Sequence, residues 1–126
     1  MADITPVTPP EINIIQAYGN GGFRISGVAH VGSVVVLPAQ VEPWPVAEIA
    51  ALPADSLELV IAAEPRVELL LVGCGARSAL LPSALRQRLR DAGIAVEPMD
   101  TGAACRTYNV LVAEGRRIAA ALIAIF

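Results

Sequence analysis

The chain has 126 residues, 55% of them hydrophobic and 17% charged, with a formal net charge of -3. That length suits one domain, which buries roughly two-thirds of the surface its unfolded form exposes without a metal or disulfide staple. The acidic balance argues against nucleic-acid binding by phosphate neutralisation. No lysine is present for P-loop or Schiff-base chemistry, and two cysteines with one histidine are too few ligands for most metal centres.

Aromatic residues make up only 4% of the chain, so its core must come from Ala, Val, Leu and Ile, as in strands covered by small-residue helices. Residues 1–10 hold three prolines and read as an arm ahead of a single domain over 11–126. The acidic, Pro-rich start lacks the marks of a signal or transit peptide. The longest apolar run, Ile118 to Phe126, is about half a membrane span, so the expectation is a soluble, cytoplasmic chain that does not span a membrane.

From Glu11 to Tyr18 the alternation around Ile12 and Ile14 predicts a strand. Gly19-Asn20-Gly21-Gly22 predicts a tight turn, and Phe23 to Ser26 a returning antiparallel strand broken at Gly27. Val28 to Leu37 is β-branched and reads as one third strand, stopped by Pro38. Pro43 and Pro45 around Trp44 make an extended crossover, followed by a short strand over Val46 to Ile49. Pro53-Ala54-Asp55-Ser56 opens a helix carrying Leu57, Val60 and Ile61 at helical spacing.

Val67 to Val72 is apolar on both faces, the mark of a central strand covered by helices on either side. After Gly73-Cys74-Gly75, Pro82 fits a first helical turn, Leu85, Leu89 and Ala92 stripe the helix, and Gly93 caps it. Ile94 to Glu97 is then a strand parallel to the previous one. Thr101 to Ala113 predicts a third helix with Asp100 or Thr101 as its N-cap, ending at Gly115. Arg117 to Ile125 closes the sheet.

With this order in view, GNGGFRISG near the start, VGCG after the central strand and GIAVEPMDTGAACRTYNVLVAEGRRIAAALI at the end carry a likeness. The chain resembles, from about Ile12 to Ile125, the domain-of-unknown-function family that includes a mitochondrial complex I assembly factor and short bacterial and archaeal proteins. The resemblance implies a three-layer α/β fold: a mixed central sheet with helices on both sides and an extra antiparallel β layer from the N-terminal strands. The resemblance brings no established catalytic activity, no cofactor is expected, and it implies a protein partner, with a membrane-complex or export component suggested by the mitochondrial member and by the genes beside bacterial relatives. Relatives typically carry Gly-Thr-Gly where Gly73-Cys74-Gly75 stands, which counts against Cys74 as a family nucleophile.

Residue chemistry leaves two functional readings open. The first is a non-enzymatic protein-interaction domain with Trp44, flanked by prolines, as an interface anchor; the apolar composition is compatible with a homodimer. The second is a small-ligand domain or unrecognised enzyme. Its pocket, for an anion or metabolite, would be built from Gly73, Cys74, Gly75, Ala76 and Arg77 after the buried strand, with Arg106 and Asn109 of the third helix. The dinucleotide fingerprint is incomplete there, since Ser78 stands where a third glycine belongs. Cys105 reads as a buried small hydrophobe, His30 as a strand residue without triad partners, and the metal-ligand set as empty.

Overall fold

The computed structural model describes residues 12–126. The arm expected over 1–10, and Glu11 at the start of the first expected strand, lie outside the described residues.

The chain first builds a small antiparallel sheet in the order β1 (Ile15–Gly19), β2 (Gly22–Ile25), β3 (Val28–Val31). The Asn20-Gly21 turn sits where expected, and both residues take positive φ, +51° and +78°, a backbone that glycine and asparagine tolerate best. The expected single strand from Val28 to Leu37 is instead two strands in different sheets. Gly32, at φ +86°, breaks the run, and Val34–Val36 (β4) begins the second sheet. Ser33 pins the crossing: its hydroxyl donates to Val46 O at 2.9 Å and accepts from Ala124 N–H at 2.9 Å.

The short strand expected at Val46 to Ile49 is also corrected. Val41–Pro43 (β5) pairs with β4, and a single 3-10 turn occupies Ile49–Ala51. Pro45 follows Trp44, and Val46 N–H bonds back to Trp44 O at 2.7 Å, which turns the chain out of the ladder. The helix expected after Pro53 is one turn, α1 (Glu58–Ile61), burying Leu57 and Val60.

The second half follows its expectation more closely. β6 (Leu69–Gly73), α2 (Ser83–Asp91), β7 (Ala95–Met99), α3 (Thr101–Ala113) and β8 (Ile118–Leu122) complete a five-stranded sheet of order β5-β4-β8-β6-β7. β6 is parallel to both β7 and β8, while β4 runs antiparallel to β8.

Every residue of β6 and β8 is buried, because both faces of the mixed sheet are covered. Alternate residues divide between two cores. Leu70, Val72, Ala119 and Ala121 face α1, α2, Trp44 and Ile49. Leu69, Leu71, Ala120 and Leu122 face α3 together with Ile15, Phe23 and Ile25 of the small sheet. The three consecutive alanines of β8 let both outer layers approach the middle of the sheet closely. Helices thus lie on both sides of a mixed sheet, with the N-terminal antiparallel strands as the extra layer beside α3.

Candidate functional site

The Gly73-Cys74-Gly75 turn lies at the carboxyl ends of the parallel strands, the place where open α/β sheets commonly hold ligands. Gly73 has no room for a side chain: a Cβ there would come within 3.0 Å of the Thr101 backbone and 2.9 Å of Leu122. Gly75 is required by its positive φ of +97°.

The turn's polar groups are tied into the fold. Cys74 N–H donates to Met99 O at 2.8 Å, and Gly75 N–H donates to Thr101 Oγ1 at 2.9 Å. Thr101 N–H returns to Gly75 O at 2.8 Å, the Thr101 hydroxyl donates to Ile123 O at 2.7 Å, and Ile123 N–H donates to Gly73 O at 2.9 Å. This circuit fastens the ends of β6, β7 and β8 to the first residue of α3, around a threonine fully out of solvent. Asp100 supplies the N-cap, accepting from Ala103 N–H at 2.9 Å. The Cys74 and Gly75 N–H groups that would face an anion already have acceptors inside the protein.

The thiols are unactivated. Cys74 is half-buried, its Sγ lies 3.5 Å from Ala79 O, and burial raises its pKa above the usual thiol value. Cys105, on the buried face of α3, lies in the core, and desolvation pushes it up to about 12. A thiolate nucleophile needs the opposite shift. Among the described residues no cluster of His, Cys, Asp and Glu is arranged to hold a metal ion.

Arg106 and Asn109 turn to β1. Arg106 Nη1 donates to the Tyr18 hydroxyl at 3.2 Å, and that hydroxyl lies over Gly102, where a Cβ would have to displace it. Asn109 Nδ2 donates to Ile15 O at 2.7 Å while its Oδ1 accepts from Ile15 N–H at 2.9 Å. The side-chain amide thus copies the pairing of a neighbouring strand at Ile15, the first residue of β1. Ala76 and Arg77 lie in an exposed loop. Surface hollows lie over the N-terminal hairpin, beside Trp44, and between α2 and β7.

Trp44, the expected interface anchor, is corrected to a core residue. It is only 5% exposed, wedged among Ile49, Leu52 and the sheet, while the two flanking prolines stay exposed. Two features escaped the sequence reading. Thr101 was legible only as an N-cap alternative, and the break at Gly32 that frees β3 as a separate edge strand was hidden in a continuous β-branched run. The Gly32-Ser33 pair was the available signal.

These layers define a three-layer α/β domain of the Mth938-like type, with a hydrogen-bonded turn rather than an open cradle at its strand ends. The chain belongs to the family described as protein of unknown function (DUF498/DUF598), whose sequence profile matches residues 15–123. It is 42% identical over 109 residues to the human protein named NADH dehydrogenase [ubiquinone] 1 alpha subcomplex assembly factor 3, covering 86% of this chain. The chain spans 59% of that relative's length.

A crystal structure of a protein named as an outer membrane protein from Bartonella henselae superposes with a TM-score of 0.84 at 37% identity, covering 93% of this chain and 98% of that one. A Mth938-like domain from Bordetella pertussis, solved by NMR, does so with a TM-score of 0.78 at 33% identity, covering 98% of this chain and 92% of that one. No helix among the described residues is long and apolar enough to cross a membrane.

Proposed function

We propose that the chain is an assembly-factor-like protein-binding domain that takes an extended segment of a partner along β3. The carrying observation is the inequality of the four sheet edges. β5 and β7 contain Pro43 and Pro98, each lacking the N–H an incoming strand would need. On β1, Asn109 already occupies both backbone groups of Ile15. β3 contains neither a proline nor a charge, and among the described residues no strand pairs with its outer side.

The register says what that edge offers. Gly32 N–H bonds Gly21 O at 2.7 Å, and bonded pairs alternate along an antiparallel ladder. Val28 and His30 therefore bond to β2, whereas Ala29 and Val31 direct their N–H and C=O groups outward. Val28 is 56% exposed and Val31 is 95% exposed, so apolar side chains flank the free groups. An uncovered edge of this composition invites strand addition, in which backbone bonds supply affinity and side-chain contacts supply selectivity.

The name of the human relative, an NADH dehydrogenase subcomplex assembly factor, supports a partner drawn from a multisubunit complex under assembly. The test is a photo-crosslinking residue at Val31, with the same residue at exposed Leu59 as control. Adduct formation at Val31 alone, lost when Ala29→Pro removes one outward N–H, is the expected result. Equal labelling at Leu59, or indifference to Ala29→Pro, overturns the reading. An adduct consisting only of two copies of this chain replaces the partner by a homodimer.

A further inference from the structure

We propose that the groove between α2 and β7 is a binding site for an aliphatic carboxylate, separate from the β3 edge. The groove encloses about 340 Å³, at the lower end of the range for small-molecule sites. Leu81, Ile94 and Val96 line it with branched aliphatic surface, and Leu80, 73% exposed, stands at its rim. No aromatic ring lines it, so it suits an alkyl chain better than a stacked base or ring. The loop from β6 to α2 is held over the end of β7 by the Ser78 hydroxyl, 3.4 Å from Pro98 O.

Arg86 and Arg90 also line this groove, one helical turn apart on α2. Their neighbour Arg88 makes a two-pronged ion pair with Glu58, at 2.9 and 2.7 Å. Neither Arg86 nor Arg90 has a carboxylate partner among the described residues. Arg86 Nε donates to Leu81 O at 3.0 Å, which fixes the guanidinium and leaves its two amino groups unpaired among the described residues. Among the described residues, Arg90 makes only a 3.4 Å contact with Gln87.

The nearest acidic residue of the strand is Glu97. It alternates with Val96 and Pro98 and so lies on the opposite face of the sheet. The groove therefore joins apolar walls to two cations with no anion among its lining residues, on a protein whose net charge is -3. Paired guanidiniums fit a carboxylate through charge-assisted, forked hydrogen bonds, and the walls fit a short alkyl chain.

Octanoate is the probe, followed by amide chemical shifts of the whole chain. The expected result is saturable shifts confined to residues 80–98, weaker binding of butyrate, and no matching response to octylamine or inorganic phosphate. Arg90→Gln should weaken octanoate at least about ten-fold, the loss of one charge-assisted contact. Val96→Phe, which fills the groove while keeping both arginines, should abolish the response. Unsaturable or scattered shifts overturn the proposal, as does an unchanged affinity in Arg90→Gln. Equal shifts from octylamine would reduce the site to apolar contact, and equal shifts from phosphate would reduce it to an anion patch.

Discussion

Thr101→Val isolates the circuit at the strand ends, because valine nearly matches threonine in shape while deleting its hydroxyl. Two hydrogen bonds disappear, at 2.9 Å from Gly75 N–H and 2.7 Å to Ile123 O, and both backbone groups are left unpaired at a site with no solvent exposure. Each orphaned buried group costs about 1–3 kcal/mol, partly offset by the methyl that replaces the hydroxyl, so the loss should be about 3 kcal/mol. With a urea slope of about 2 kcal/mol per molar, the midpoint falls by about 1.5 M. Thr101→Ser keeps the hydroxyl and removes one methyl, so it should cost only about 1 kcal/mol. Urea unfolding followed by far-ultraviolet circular dichroism and Trp44 fluorescence measures both. A Thr101→Val midpoint within about 0.3 M of wild type, or a serine variant weaker than the valine one, would refute the circuit as a stabilising element.

Other outcomes follow from single contacts. Asn109→Ala leaves both Ile15 backbone groups without their partners and should cost about 2 kcal/mol, with faster hydrogen exchange at Ile15 than in the central sheet. Tyr108→Phe removes a buried hydroxyl that has no hydrogen-bond partner among the described residues, so it should be neutral or stabilising by up to about 1 kcal/mol in the same urea assay. Cys105 titrates near 9.0 when unfolded and at about 12 when folded. Its protonated form is therefore favoured by the fold, and stability should be full below pH 9 and fall progressively as pH rises toward 12. Cys105→Ala should flatten that part of the pH profile.

How far the fold could be read from the sequence depended on how much each residue acts locally. The doubly apolar run expected over Val67 to Val72 and the cap expected at Asp100 or Thr101 act through their immediate neighbours; the strand forms over Leu69–Gly73, and Asp100 is the cap. The hairpin at Asn20-Gly21 forms where expected, because glycine chemistry decides it. What failed was decided at long range. Whether Val31 and Val34 share a strand depends on which sheet each can join, and Ser33 resolves that through Val46 and Ala124, residues far along the chain. The exposure of Trp44 likewise depended on what the crossover lands on. At the turn, the glycines were visible, but the acceptors that occupy its N–H groups, Met99 O and Thr101 Oγ1, come from the following strand and helix.

The central claim, that β3 is the docking edge, is tested most directly by residue-resolved hydrogen exchange of the free protein and of the complex recovered through the Val31 crosslink. The outward-facing amides of Ala29 and Val31 should exchange rapidly in the free chain and slow at least about ten-fold in the complex, with His30, already bonded to β2, changing less. Protection that appears elsewhere on the surface while Ala29 and Val31 keep their free rates would contradict it.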